Sequence, residues 1–304
     1  AKHNQSANFR ALAQYAIWGD KSSYKNIYTE NELKEMNPEM LIDKIKSLKN
    51  YAHTILYYGP LAHTEFVNAI NEKHAVAETL QPVPDPIVFV EQETSENKVL
   101  LANYDAKQIN LSMIHKGGVF NPSIENIRSL YNEYFGSGMG SIVFQEMREA
   151  RGLAYSAGAS YGRPSDPKRS YFLQTYIGTQ TDKMVDAIIA FNEILNDIPQ
   201  SEKAFNIAKE SMLTDIRTGR IMRDDILWYY MDAKKFGYET DSRKELFDAL
   251  QTFTLADIVK FQEEYVKNKP FTYCVLGDLK SLDMEYLKSL GTVRIMSQEE
   301  IFGY

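Results

Sequence analysis

In "FQEMREARGLAY", Phe144 to Tyr155, Arg148 stands seven residues ahead of Tyr155 with Gly152 between them. A guanidinium can hold a peptide carbonyl or a carboxylate, and a phenol can donate to a carbonyl oxygen that gains charge when water attacks it. The pair suits peptide recognition or oxyanion stabilisation, and by itself it generates no nucleophile. The same residues also have a plain structural account. A cation in the last turn of a helix complements the macrodipole, Gly152 supplies a C-terminal stop, and Tyr155 packs beside Leu153, Ala157 and Tyr161 on one strand face. Residue chemistry leaves both readings open.

Other chemistry is sparse. The five histidines, His3, His53, His63, His74 and His115, form neither HExxH nor the inverted HxxEH that presents two imidazoles to zinc. No metal site is expected from these residues, and each histidine reads as a surface or packing residue. Cys274 is the only cysteine, which excludes an intrachain disulfide and a thiolate cluster, and its apolar strand context marks it as core. "GSGMG", Gly136 to Gly140, lacks the Gly-Lys-Ser/Thr of a phosphate loop and reads as a turn between helices. Paired acids such as Glu263 with Glu264 read as solvated surface.

The elements that must position Arg148 and Tyr155 belong to a 304-residue chain, long enough for two compact units. Its net charge of -7 argues against a nucleic-acid partner, and no apolar run is long enough for a membrane span. The start, "AKHNQSANFRALAQYAIWG", is no signal peptide, so either the protein is cytoplasmic or a segment precedes this chain.

An internal repeat organises the chain. "HTILYYGPL", His53 to Leu61, aligns without gaps with "FTYCVLGDL", Phe271 to Leu279, matching Thr54, Gly59 and Leu61 with Thr272, Gly277 and Leu279. Before each lies a capped helix: Asn37-Pro38 opens one with Leu41, Ile45 and Leu48, and Thr254 with Asp257 opens the other with Leu255, Ile258 and Val259. The aligned residues themselves read as a short apolar strand closed by glycine, and after each comes a second helix, from about Ala62 or Ser281. On this basis residues 1–80 are the end of one domain, truncated at its N-terminus, 81–86 a Pro-rich linker, and 87–304 a complete second copy. Within that copy "PIVFVEQ", "KVLLANY", "QINLSMIHKG", "LAYSAGASY" and "SYFLQTYIG" read as strands, and a helix is expected over Ser141 to Arg151. Strands and helices gathered in runs predict an α+β fold: a two-layer sandwich with a mostly antiparallel sheet, helices on one face, and homologous duplicated domains.

"YFGSGMGSIVFQEMREARGLAYSAGASY", Tyr134 to Tyr161, closely resembles the C-terminal-half signature of the insulinase/pitrilysin zinc metallopeptidases, a family that includes mitochondrial processing peptidase. The resemblance extends over essentially the whole chain. It implies four homologous domains closing as two halves around a peptide, with residues 1–80 ending the third domain and 87–304 forming the fourth. It also implies a zinc endopeptidase whose HxxEH lies on a missing N-terminal half or a separate subunit. No position here matches those ligands, so zinc is expected in the full enzyme and none on this chain, which alone should be inactive. Arg148 and Tyr155 match the family's arginine and tyrosine that face the zinc, the first positioning substrate and the second donating to the carbonyl. Arg151 is read as solvated. The alternative is a non-catalytic peptide-binding or scaffold subunit of the same family. On either reading the bacterial periplasm is favoured over the cytoplasm.

Overall fold

A computed structural model describes residues 2–304. Its helices are α1 (Gln5–Trp18), α2 (Glu30–Glu35), α3 (Pro38–Ser47), α4 (His63–Lys73), α5 (Glu125–Phe135), α6 (Ile142–Phe144), α7 (Met184–Asn196), α8 (Glu202–Thr218), α9 (Asp225–Phe236), α10 (Ser242–Thr252), α11 (Leu255–Tyr265), α12 (Met284–Leu290) and α13 (Gln298–Phe302). The strands are β1 (Lys98–Asn103), β2 (Gln108–Val119), β3 (Ser156–Gly162), β4 (Ser170–Gln180), β5 (Thr272–Gly277) and β6 (Thr292–Met296). They form one sheet in the order β3-β4-β2-β5-β1-β6. The pairs from β3 through β5 are antiparallel, while β1 runs parallel to both β5 and β6. The expected α+β fold is borne out.

Alternation along the strands separates two cores, because successive side chains point to opposite faces. Val99 and Leu101 join Tyr273 and Val275 in the larger core, which takes in Tyr131 and Phe135 of α5, Phe191 of α7 and Phe261 of α11. Leu100, Ala102, Cys274 and Leu276 face the other way and meet Phe9 and Leu12 of α1 and Phe302 of α13. The main helical layer covers one face, and α1 with α13 covers part of the other. Cys274 is fully buried, and burial pushes its thiol up to about 12, consistent with a core residue.

Contacts divide the described chain into two compact units that cut it differently from the repeat. One holds residues up to Asn26, Val90–Arg220 and Ala233–Tyr304; the other holds Ile27–Phe89 and Ile221–Asp232. Residues up to Asn26 join the first unit because Phe9, Leu12 and Ile17 pack against the sheet.

In the second unit α3 and α4 form where expected, with Asn37 accepting from Glu39 N. The expected strand His53 to Leu61 does not form, and among the described residues of this segment the only pairing is an isolated bridge between Tyr51 and Gln81. A strand needs partners. Its counterpart β5 has β1 and β2 on either side, and Ile27–Phe89 contains no described strand to take their place. The expected strand at "PIVFVEQ" is also absent: Pro84 and Pro86 supply no backbone donors, and Ile87, Val88 and Val90 are exposed. This segment is tied down at its end instead, where Gln92 N donates to Ile17 O at 2.8 Å.

Candidate functional site

The helix expected over Ser141 to Arg151 is two structures in series. Ser141 caps α6, its Oγ accepting from Phe144 N at 3.3 Å, and after this single turn Gln145–Ala150 continues as a π-helix. Its wider pattern is visible where Arg151 N donates to Glu146 O at 3.2 Å, a bond from i+5 back to i. Gly152 follows at φ +57°, the left-handed conformation in which a glycine carries no Cβ penalty. The chain then turns into β3. Met147 O accepts from Leu153 N at 2.9 Å and from Ala154 N at 3.2 Å. The Thr179 hydroxyl donates to Leu153 O at 2.5 Å, and Lys183 Nζ donates to Gly152 O at 2.9 Å.

At the far end of β3 a second set of bonds fixes the strand against α5. The Asn132 side chain donates to Tyr161 O at 3.1 Å and accepts from Tyr161 N at 2.8 Å, pairing with the edge strand as another strand would. Gly136, at the end of α5, lies so close to β3 that a Cβ there would stand 1.8 Å from Ala159 O.

Between these anchors Arg148 and Tyr155 come together. The Arg148 guanidinium carbon is 5.2 Å from the centre of the Tyr155 ring and 4.9 Å from that of Phe144, both within cation–π range. Tyr155 is 80% exposed, so the packing account of this residue fails. Tyr161, six residues on, is 1% exposed and holds the core position. The Arg148 side chain is 40% exposed and pairs loosely with Glu149 at 3.5 Å. A cation and a phenolic hydroxyl, both open to solvent and carried on pinned backbone, can donate together to one carbonyl or carboxylate.

The family model "Peptidase M16 inactive domain" matches residues 50–212. The chain belongs to the peptidase M16 family. Among solved structures, this M16 chain is similar to a peptidase M16 inactive domain from Pseudomonas fluorescens at 14% identity and a TM-score of 0.64, covering 91% of this chain and 66% of that one. It is similar to a conserved protein from Enterococcus faecalis V583 at 13% identity and a TM-score of 0.70, covering 91% and 64%. It is also similar to a chain in a structure of complex III2 from Candida albicans at 13% identity and a TM-score of 0.61, covering 96% and 71%. At these identities the likeness is one of fold, and the M16 chain spans about two thirds of those chains. No significant sequence match to a curated protein was found.

Several residues carry contacts that their sequence alone does not show. Arg151 is not simply solvated: its Nη1 donates to Glu193 of α7 at 2.6 Å and its Nε lies 3.4 Å from Glu146, so it clips the π-helix to α7. Asn132 and Thr179 leave no signal in the sequence because each acts through tertiary neighbours, whereas Phe144 meets Arg148 as an i to i+4 neighbour. His53 and His74 meet with their Nε2 atoms 2.9 Å apart, and His53 Nδ1 lies 2.7 Å from Tyr51 O. Among the described residues no group of three or more His, Cys, Asp or Glu side chains is placed to hold a metal ion, so the residues present do not fit a catalytic zinc.

Proposed function

We propose that this chain is the substrate-facing half of an M16 endopeptidase, working opposite a zinc-bearing half on the same polypeptide or on a separate subunit. The exposed Tyr155 hydroxyl beside the Arg148 guanidinium carries this reading, since a merely structural tyrosine at the start of β3 would be buried as Tyr161 is. Arg148 positions the backbone carbonyl or carboxylate of a bound peptide. Tyr155 donates its phenolic proton as a hydrogen bond to the substrate carbonyl oxygen, and that bond strengthens as the oxygen gains charge. The metal chemistry belongs to the other half, and no residue of this chain is assigned to it.

In the assembled protein Tyr155→Phe is expected to lower kcat by about 10²- to 10³-fold while leaving the fold intact, the range seen on removing one oxyanion donor. Unchanged kcat would remove Tyr155 from the reaction. The second reading, a non-catalytic scaffold or peptide-binding subunit, draws on the inactive-domain description of the matching family and on the likeness to a chain of the Candida albicans complex. Exposure of both Arg148 and Tyr155 favours the peptidase reading, because a scaffold has no need of a paired donor site. An HxxEH motif in the remainder of the same gene product or in a co-purifying subunit is the expected observation, and its absence from both would favour the scaffold.

A further inference from the structure

We infer that Phe144 is a positioning residue for Arg148: its ring holds the guanidinium by a face, leaving the N–H edge of the cation for the in-plane acceptor of a peptide, a carbonyl or a carboxylate. This rests on the reading of Arg148 as substrate-facing. The two residues sit either side of the change from α- to π-helical bonding, with Phe144 ending α6 and Arg148 in the widened turn. Their contact, 4.9 Å from guanidinium carbon to ring centre, spans that junction.

A ring differs from a carboxylate as a partner for arginine. A carboxylate occupies the N–H fork, whereas an aromatic face leaves the donors free. The ion pair to Glu149 brings Nε within 3.5 Å of Oε1, between two exposed side chains, and exposed pairs of this kind hold a long side chain poorly. Tyr155 is the other ring in reach, yet it is itself a donor to the ligand and is 80% exposed. Phe144 is half-buried, with its backbone N–H bonded to the Ser141 hydroxyl, and is the better-anchored of the two. Without it Arg148 would spread over many rotamers and lose them again on binding peptide.

The test compares Phe144→Leu, which keeps an apolar side chain without the ring, with Phe144→Tyr, which restores a ring. In NMR spectra of this chain the Arg148 side-chain protons should carry upfield ring-current shifts that Phe144→Leu reduces and Phe144→Tyr retains. In the assembled protein Phe144→Leu should lower kcat/KM by about 3- to 30-fold, the span of an exposed to a desolvated cation–π contact. Phe144→Tyr should restore it, and Phe144→Leu should add no further loss to Arg148→Ala. If Phe144→Leu leaves the Arg148 shifts unchanged, or its loss persists in full in the Arg148→Ala background, the inference is overturned. If Arg148→Ala itself leaves hydrolysis unchanged, the substrate-facing reading falls first and the positioning role falls with it.

Discussion

Tyr155 and Tyr161 show how far a side chain's surroundings, more than its type, decide what it does. Burial pushes the Tyr161 phenol up to about 12, and its ring packs edge-on to Phe261 at 5.4 Å, whereas Tyr155 stands in solvent. Truncation should separate them. Tyr161→Ala is expected to cost about 3–5 kcal/mol, as large aromatic deletions in cores do, and Tyr155→Ala about 1 kcal/mol or less, the scale of one exposed cation–π contact. Chemical denaturation of the two variants checks this. The sequence made Arg148 and Tyr155 legible as a pair, yet period-two counting placed Tyr155 inward with Tyr161. That counting fails because β3 begins only at Ser156, after the left-handed turn at Gly152, so Tyr155 lies outside the pleat that fixes the inward direction.

The elements around the site were readable as helix, glycine, strand, and two glycines test how that order is held. Gly152 has open space where a Cβ would stand, so Gly152→Ala meets only the cost of its left-handed backbone, about 1–2 kcal/mol. Gly136 has ordinary φ, but its Cβ would strike the Ala159 carbonyl, so Gly136→Ala must push α5 off β3, at about 3 kcal/mol or more. Thermal melts should therefore rank Gly136→Ala well below Gly152→Ala, and the reverse order would contradict the close approach of α5 to β3. The π-helical turn was not legible. A change from i+4 to i+5 bonding within six residues leaves no periodic signal, since the donors and acceptors that settle it, Met147 O with Leu153 N and Ala154 N, come from the turn beyond. Arg151 is exposed, as a solvated residue should be, but its ion pair was not legible for a related reason, because Glu193 reaches it from a helix 42 residues away in sequence.

For the whole molecule, the sheet order could not be read from sequence, because β1 enters between β5 and β6 from more than 170 residues upstream. The repeat was legible in its helices, and its strand formed only in the copy with neighbours to pair it. In the other copy Leu41, Ile45, Leu48, Ile55 and Leu61 remain exposed. Stability should also carry a pH signature from His115 on β2. Burial lowers the imidazole below its ordinary value of 6.5, opposed by the Pro270 carbonyl 2.9 Å from Nδ1, while Lys269 lowers it further. The unfolded chain then binds this proton more readily than the folded one. Stability from this group is full above about pH 6.5 and is lost as pH falls below it. Melting temperatures taken from pH 7.5 to 5.5 should fall, and His115→Asn should flatten that part of the slope.

Metal content measured together with hydrolysis tests the proposed division of labour between halves. Purified residues 1–304 should bind no stoichiometric zinc and cleave no peptide, while the protein joined to its zinc-bearing half should do both and lose hydrolysis to EDTA. Stoichiometric zinc on residues 1–304 alone, or EDTA-sensitive proteolysis by them, would contradict that division.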